Sequence, residues 1–128
     1  MKHVLLLEPN KGLANIIQKY LQEGSLLEVD VSHSAQEAIF KADAQLPDLV
    51  ILELAIPMHN GFAFLHEFRS YTDWKNVPVI VHSHLDRDEA EMSKSWKTLG
   101  AKAYFYKPNT TLLQLKNASL EALNLPAN

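Results

Sequence analysis

Four side chains sit where short apolar runs end, and they are the ones to consider for chemistry: Glu8, Glu53, Ser83 and Lys107. Two carboxylates, a hydroxyl and an ammonium can pair with one another once a fold gathers them. Taken singly, each has a plainer role, since most acids at strand ends are merely solvated and a serine often satisfies local backbone. The neighbouring run His82-Ser83-His84, with His59 upstream, invites a metal or a catalytic triad. His82 and His84 are two apart and share a strand face, but no third ligand is evident and the triad lacks an orienting partner. No metal is therefore expected. The chain has no cysteine, which removes disulfides, thiolate zinc sites and a Cys nucleophile.

The elements that must carry these residues follow from alternation. Val4 to Leu7 is a continuous apolar run, the pattern of a strand buried on both faces. Asn10 caps a helix with Leu13, Ile16, Ile17, Tyr20 and Leu21 at helical spacing, and Gly24 stops it. Leu26 to Val31 is a second strand. Ser34-Ala35-Gln36-Glu37 reads as a capping box opening a helix with Ala38, Ile39 and Ala42 on one face. Leu49 to Leu52 is the third strand, followed by a loop with Pro57 and Gly61 and a helix carrying Phe64, Leu65 and Phe68. Val77 to Val81 is the fourth strand. Acidic Asp86, Asp88 and Glu89 suit a helix start, and that helix carries Met92, Trp96 and Leu99 before Gly100. Ala103 to Tyr106 is the fifth strand. Asn109 or Thr110 caps a last helix that runs to about Asn124.

Five strands alternating with five helices predict a parallel sheet covered on both faces. In doubly wound sheets the ligand crevice lies at the carboxyl ends of the strands, where the four residues stand. The chain of 128 residues is 47% hydrophobic and 21% charged, which fits one globular domain over residues 1–128 with no output domain. Its net charge of −3 carries no basic footprint for nucleic acid. The apolar run at the N-terminus is too short for a signal peptide or membrane span, so a cytoplasmic protein is expected.

The stretch Pro47-Asp48-Leu49-Val50-Ile51-Leu52-Glu53 with Pro57 and Gly61 resembles the receiver domain of two-component response regulators. In that family an aspartate ends the third strand, with a proline four residues on and a glycine eight on. Ser83 matches the family's switch Ser or Thr, and Tyr104 its switch aromatic. Lys107-Pro108 matches the Lys-Pro after the fifth strand, where the peptide bond is typically cis. The resemblance covers the whole chain. It implies a (βα)5 flavodoxin-like, three-layer fold with strand order 2-1-3-4-5.

The departures fall on the chemistry. Glu53 takes the phosphoacceptor position, and Glu8-Pro9 takes the place of two adjacent acids. In a working receiver clustered carboxylates repel, Mg²⁺ relieves the repulsion, and the lysine neutralises charge on the transferred group. Here the site carries one net negative charge where the resemblance implies two, and Pro9 offers no ligand. The Glu53 carboxylate sits about 1.5 Å further out than that of an aspartate. A misplacement of roughly 1 Å can already cost on the order of a hundredfold in rate. The longer arm can instead reach Lys107 or Ser83 and imitate the contacts of a phosphoaspartate. A ring at His84 would partly cover the site.

The resemblance therefore implies a non-enzymatic pseudo-receiver, without cofactor, acting through protein–protein contacts. Its partners would be a histidine kinase, a phosphotransfer protein or a downstream signalling protein. Trp96, Tyr104 and Tyr106 are candidates for the partner surface, and a homodimer would use the fourth helix, fifth strand and fifth helix. Two alternatives stand beside it. One is a working Mg²⁺-dependent phosphotransfer receiver. The other is a flavodoxin-like nucleotide- or flavin-binding domain, although Glu8-Pro9-Asn10-Lys11-Gly12 lacks a glycine-rich phosphate cradle.

Overall fold

The computed structural model describes residues 1–24, 26–56, 60–86, 88 and 99–126. Strands β1 (Lys2–Leu7), β2 (Leu27–Ser32), β3 (Leu49–Leu52), β4 (Val79–Ser83) and β5 (Ala101–Tyr106) form one parallel sheet in the order 2-1-3-4-5. The described helices are α1 (Lys11–Gln22), α2 (Ala35–Ala44), α3 (Gly61–Ser70) and α4 (Leu112–Ala122), the last being the fifth helix of the sequence pattern. The expected helix with Met92 and Trp96 falls on residues outside those described, as do Pro57 and His59. Among the described residues no helix is long and apolar enough to cross a membrane.

The sheet divides two apolar layers. Leu5, Leu7, Val50, Leu52, Val79 and Val81 pack against Ala38 and Ala42 of α2 and Phe64, Leu65 and Phe68 of α3. Val4, Leu6, Leu49, Ile51 and Ile80 pack on the other face against Ile17 and Leu21 of α1 and Leu115 and Leu120 of α4. All four residues of β3 are buried, because helices cover both of its faces. Burying each such side chain contributes about 1.5–3 kcal/mol, so a charge at Ile51 would break the layer.

Side-chain caps set where the helices begin. Asn10 accepts from the Leu13 N–H, as expected, and Asn60 accepts from Ala63 N–H at the start of α3. Ser34 accepts from Glu37 N–H, but the Glu37 carboxylate reaches the His33 N–H rather than that of Ser34. The box expected there is thus shifted by one residue on its return arm. A full capping box forms instead at Thr111 and Gln114.

Gly61 is required by contact. Its N–H donates to the Leu54 carbonyl at 2.8 Å, and a Cβ would fall 2.4 Å from Leu54 Cα. Only a residue without a side chain lets α3 start so close to the chain leaving β3.

Candidate functional site

The register aligns Leu7 with Leu52, Leu52 with Val81 and Val81 with Tyr104. One step further along these strands stand Glu8, Glu53, His82 and Phe105. The last apolar row of the sheet is therefore followed by a row that begins with two acids. The chain stays in the ladder there, since Glu8 N–H donates to Ser32 O and Glu53 N–H to Leu7 O. Both acids are buried, each 1% exposed.

One ammonium serves both. Lys107 Nζ lies 2.5 Å from Glu8 Oε1 and 2.7 Å from Glu53 Oε1, and its side chain is 6% exposed. The other Glu8 oxygen, Oε2, accepts from Asn10 N–H at 3.0 Å.

The Glu53 carboxylate has a full set of donors. Oε1 accepts from Lys107 and from the His84 N–H at 3.0 Å. Oε2 accepts from the Ser83 hydroxyl and from the Ala55 N–H at 2.9 Å. Burial works to raise the Glu53 pKa, but the Ala55 N–H, Lys107 and Ser83 outweigh it and hold the carboxyl below its ordinary value. Glu53 is thus a buried anion kept ionised by its partners.

The contacts continue away from the acid. Ser83 Oγ, while donating to Glu53, accepts from Leu85 N–H at 3.1 Å. The Tyr104 hydroxyl donates to Leu85 O at 2.5 Å and lies 3.4 Å from Asp86 O. Glu53, Ser83, residues 84–86 and Tyr104 are therefore joined in one hydrogen-bonded path. Tyr104 is half-buried and packs on the α2/α3 apolar layer.

His82, on β4 beside these groups, is 5% exposed, and its Nδ1 is buried without a partner. Burial, reinforced by the positive Lys107 and by His84 against the pull of Glu53, lowers its pKa to about 4. It is a neutral imidazole at neutral pH.

The structure brings together Glu8, Glu53, Ser83 and Lys107 and links Tyr104 to them. His84 joins through its backbone, while its side chain is exposed. Tyr106 is half-buried beyond the path, with its carbonyl accepting from Thr110 Oγ1 at 2.7 Å. Trp96 lies outside the described residues. One expectation is corrected: the Lys107–Pro108 bond is trans, since the described backbone contains no cis peptide. Trans is the ordinary form for X–Pro, and Pro108 here sits in the 3₁₀ turn Lys107–Asn109, whose φ the ring matches. The backbone donors Ala55 and His84 were not legible in the sequence, because every non-proline residue carries an N–H.

Among the described residues no group of three or more His, Cys, Asp or Glu converges in a way that could hold a metal ion. One oxygen of each carboxylate, Glu8 Oε1 and Glu53 Oε1, is bonded to Lys107.

A family model for the response regulator receiver domain matches residues 4–118. The KDP operon transcriptional regulatory protein KdpE of Escherichia coli K12 is 32% identical over 108 residues, which are 84% of this chain and 45% of that protein. A protein-glutamate methylesterase/protein-glutamine glutaminase of Trichodesmium erythraeum is 32% identical over 106 residues, 82% of this chain and 30% of that protein. The chain thus spans less than half the length of either relative. Chemotaxis protein CheY4 of Vibrio cholerae has the same fold, with a TM-score of 0.86 at 23% identity over 96% of this chain and 99% of that one.

Proposed function

Given that the chain belongs to the response regulator receiver domain family of two-component signal transduction, we propose that it signals by protein–protein contact without being phosphorylated. The observation that carries this reading is the Glu53 carboxylate, which already holds the Ser83 hydroxyl, the Lys107 ammonium and two backbone N–H groups. Those are the donors that a phosphoryl group on an aspartate at this position would recruit. Glu53 recruits them with one charge and without a phosphate donor. Ser83 is drawn to Glu53, and Tyr104 is held inward through Leu85, so the partner surface stays in one form, the one phosphorylation would select.

The residues present do not suit Mg²⁺. Pro9 supplies no oxygen through its side chain, and Lys107 takes up one oxygen of Glu8 and one of Glu53. With an ammonium as resident counter-charge, the pair has little demand for a divalent cation. Partners are proteins of the two-component pathway, a histidine kinase, a phosphotransfer protein or a downstream effector. Intact mass after incubation with acetyl phosphate and Mg²⁺ tests the reading. An unchanged mass is expected, and a stable gain of one phosphoryl group overturns it.

A further inference from the structure

The amino-terminal end of the sheet, opposite the Glu53 site, carries a second charged feature. Arg69, in the last turn of α3, reaches across to the chain entering β5. Its Nε donates to Leu99 O at 2.7 Å, and Nη1 donates to Trp74 O at 3.0 Å and Val77 O at 2.6 Å. Nη2 has only a long contact of 3.5 Å with Gly100 O. The guanidinium is thus fixed by carbonyls, and among the described residues no carboxylate pairs with it. Fixed dipoles orient the fork, and the positive charge remains available to an anion.

Beside Arg69 opens a pocket of about 440 Å³ lined also by Lys75, Asn76, Pro78, Gly100 and Lys102. No acidic residue is among the described residues that line it, in a chain whose net charge is −3. Three cations on one concave wall raise the local potential against the sign of the molecule. Gly100 adds an independent detail. It has φ +80°, and a Cβ there would stand 3.8 Å from Nη2. The bare glycine leaves the least-used guanidinium nitrogen open on that side.

We propose that this pocket binds a phosphate-bearing small molecule, with the phosphoryl dianion on Arg69 Nη2, Lys75 and Lys102. A dianion fits better than a single carboxylate, which would leave most of the charge unmatched. The volume exceeds that of a lone ion and lies in the range of small-molecule sites. Val77, Pro78 and Leu99 supply apolar wall for the rest of the molecule. The Asn76 amide can hydrogen-bond it.

Titration of the full chain with sulfate, inorganic phosphate, pyrophosphate and ADP, at constant ionic strength set with NaCl, tests this. Saturable amide shifts are expected at Arg69, Lys75, Asn76, Gly100 and Lys102, with tighter binding of pyrophosphate or ADP than of phosphate. At tenfold the dissociation constant Tm should rise by about 5 °C. Lys75 and Lys102 are exposed, so Lys75→Glu/Lys102→Glu keeps the fold and should weaken binding about tenfold or more. Equal response to sulfate with no gain from the diphosphates would mean an adventitious ion only and overturn the proposal. Unchanged affinity in the double variant, or shifts centred on Lys107, would overturn it as well.

Discussion

Lys107 Nζ lies 2.7 Å from Glu53 Oε1 while holding Glu8 at 2.5 Å, so one buried ammonium bridges two acids from the ends of neighbouring strands and leaves a net charge of −1 among the three. Removing it leaves two buried carboxylates with no counter-charge, held only by the Asn10 N–H on Glu8 and by the Ala55 N–H, the His84 N–H and the Ser83 hydroxyl on Glu53. Lys107→Ala should therefore cost about 3–5 kcal/mol, the range for breaking a buried pair by deleting one partner. Urea melts measure this. A loss near zero would mean that solvent reaches the pair and it behaves as a surface bridge.

Restoring phosphorylation should take two changes. Glu53→Asp shortens the arm, but Pro9 still withholds a metal ligand and Lys107 still competes for the remaining oxygens. Neither the unmodified chain nor Glu53→Asp should gain a phosphoryl group from acetyl phosphate with Mg²⁺. Pro9→Asp/Glu53→Asp should, and the gain should be non-additive because metal and nucleophile act as a unit. Phosphate-affinity gels with all three proteins decide it, and modification of the single mutant would show Pro9 to be unimportant.

Stability should fall with acid in two stages. The folded pKa of His82 is lowered to about 4 from an ordinary 6.5, so the unfolded chain binds the proton first. Stability from the neutral ring is full above pH 6.5 and is lost as pH falls toward 4. The whole change is on the order of 3 kcal/mol. Glu53, held below its ordinary 4.5, adds stability that is full above that value and is lost as pH falls through its folded pKa. His82→Phe should flatten the first stage and leave the second. Melts from pH 7 to 3 test this, and an unaltered slope between 6.5 and 4 in the variant would exclude His82 as the source.

Ser83→Ala should loosen the link between Glu53 and Tyr104. It deprives Glu53 of one donor and the Leu85 N–H of its acceptor at a fully buried position. The cost should be about 1–3 kcal/mol. Amide exchange should quicken at Leu85 more than in β1, where the ladder is untouched. Equal protection at Leu85 in both proteins would mean that the hydroxyl does not hold the loop.

The sheet was legible because its strands are short apolar runs. Leu49–Leu52 matches residue for residue, since burial on both faces excludes polar residues from that run. At β4 the pattern predicts Val77–Val81, whereas the strand runs Val79–Ser83. His82 and Ser83 break the apolar run yet stay in the ladder, and Ser83 is tolerated there because Glu53 and Leu85 satisfy its hydroxyl. The last helix starts later than Asn109 or Thr110 suggests, because Lys107–Asn109 is taken up by a 3₁₀ turn and Thr111 has Gln114 three residues on. Within the site, Glu8, Glu53, Ser83 and Lys107 were legible by position at strand ends. The pairing of Lys107 with Glu53 was expected from the longer arm. Its simultaneous hold on Glu8 was not, nor was the burial of His82, because both depend on how neighbouring strands are staggered.

The contact between Lys107 and Glu8 joins residues 99 positions apart, nearly the two ends of the sheet's connectivity. Closing so long a loop is entropically costly before the intervening strands have paired. The ammonium should therefore find its second carboxylate late, after β1, β3 and β4 have assembled. Contacts absent from the transition state govern how quickly a native chain opens, not how quickly it forms. The buried charge cluster then acts as a clasp on the lifetime of the native state, fastened last and released first.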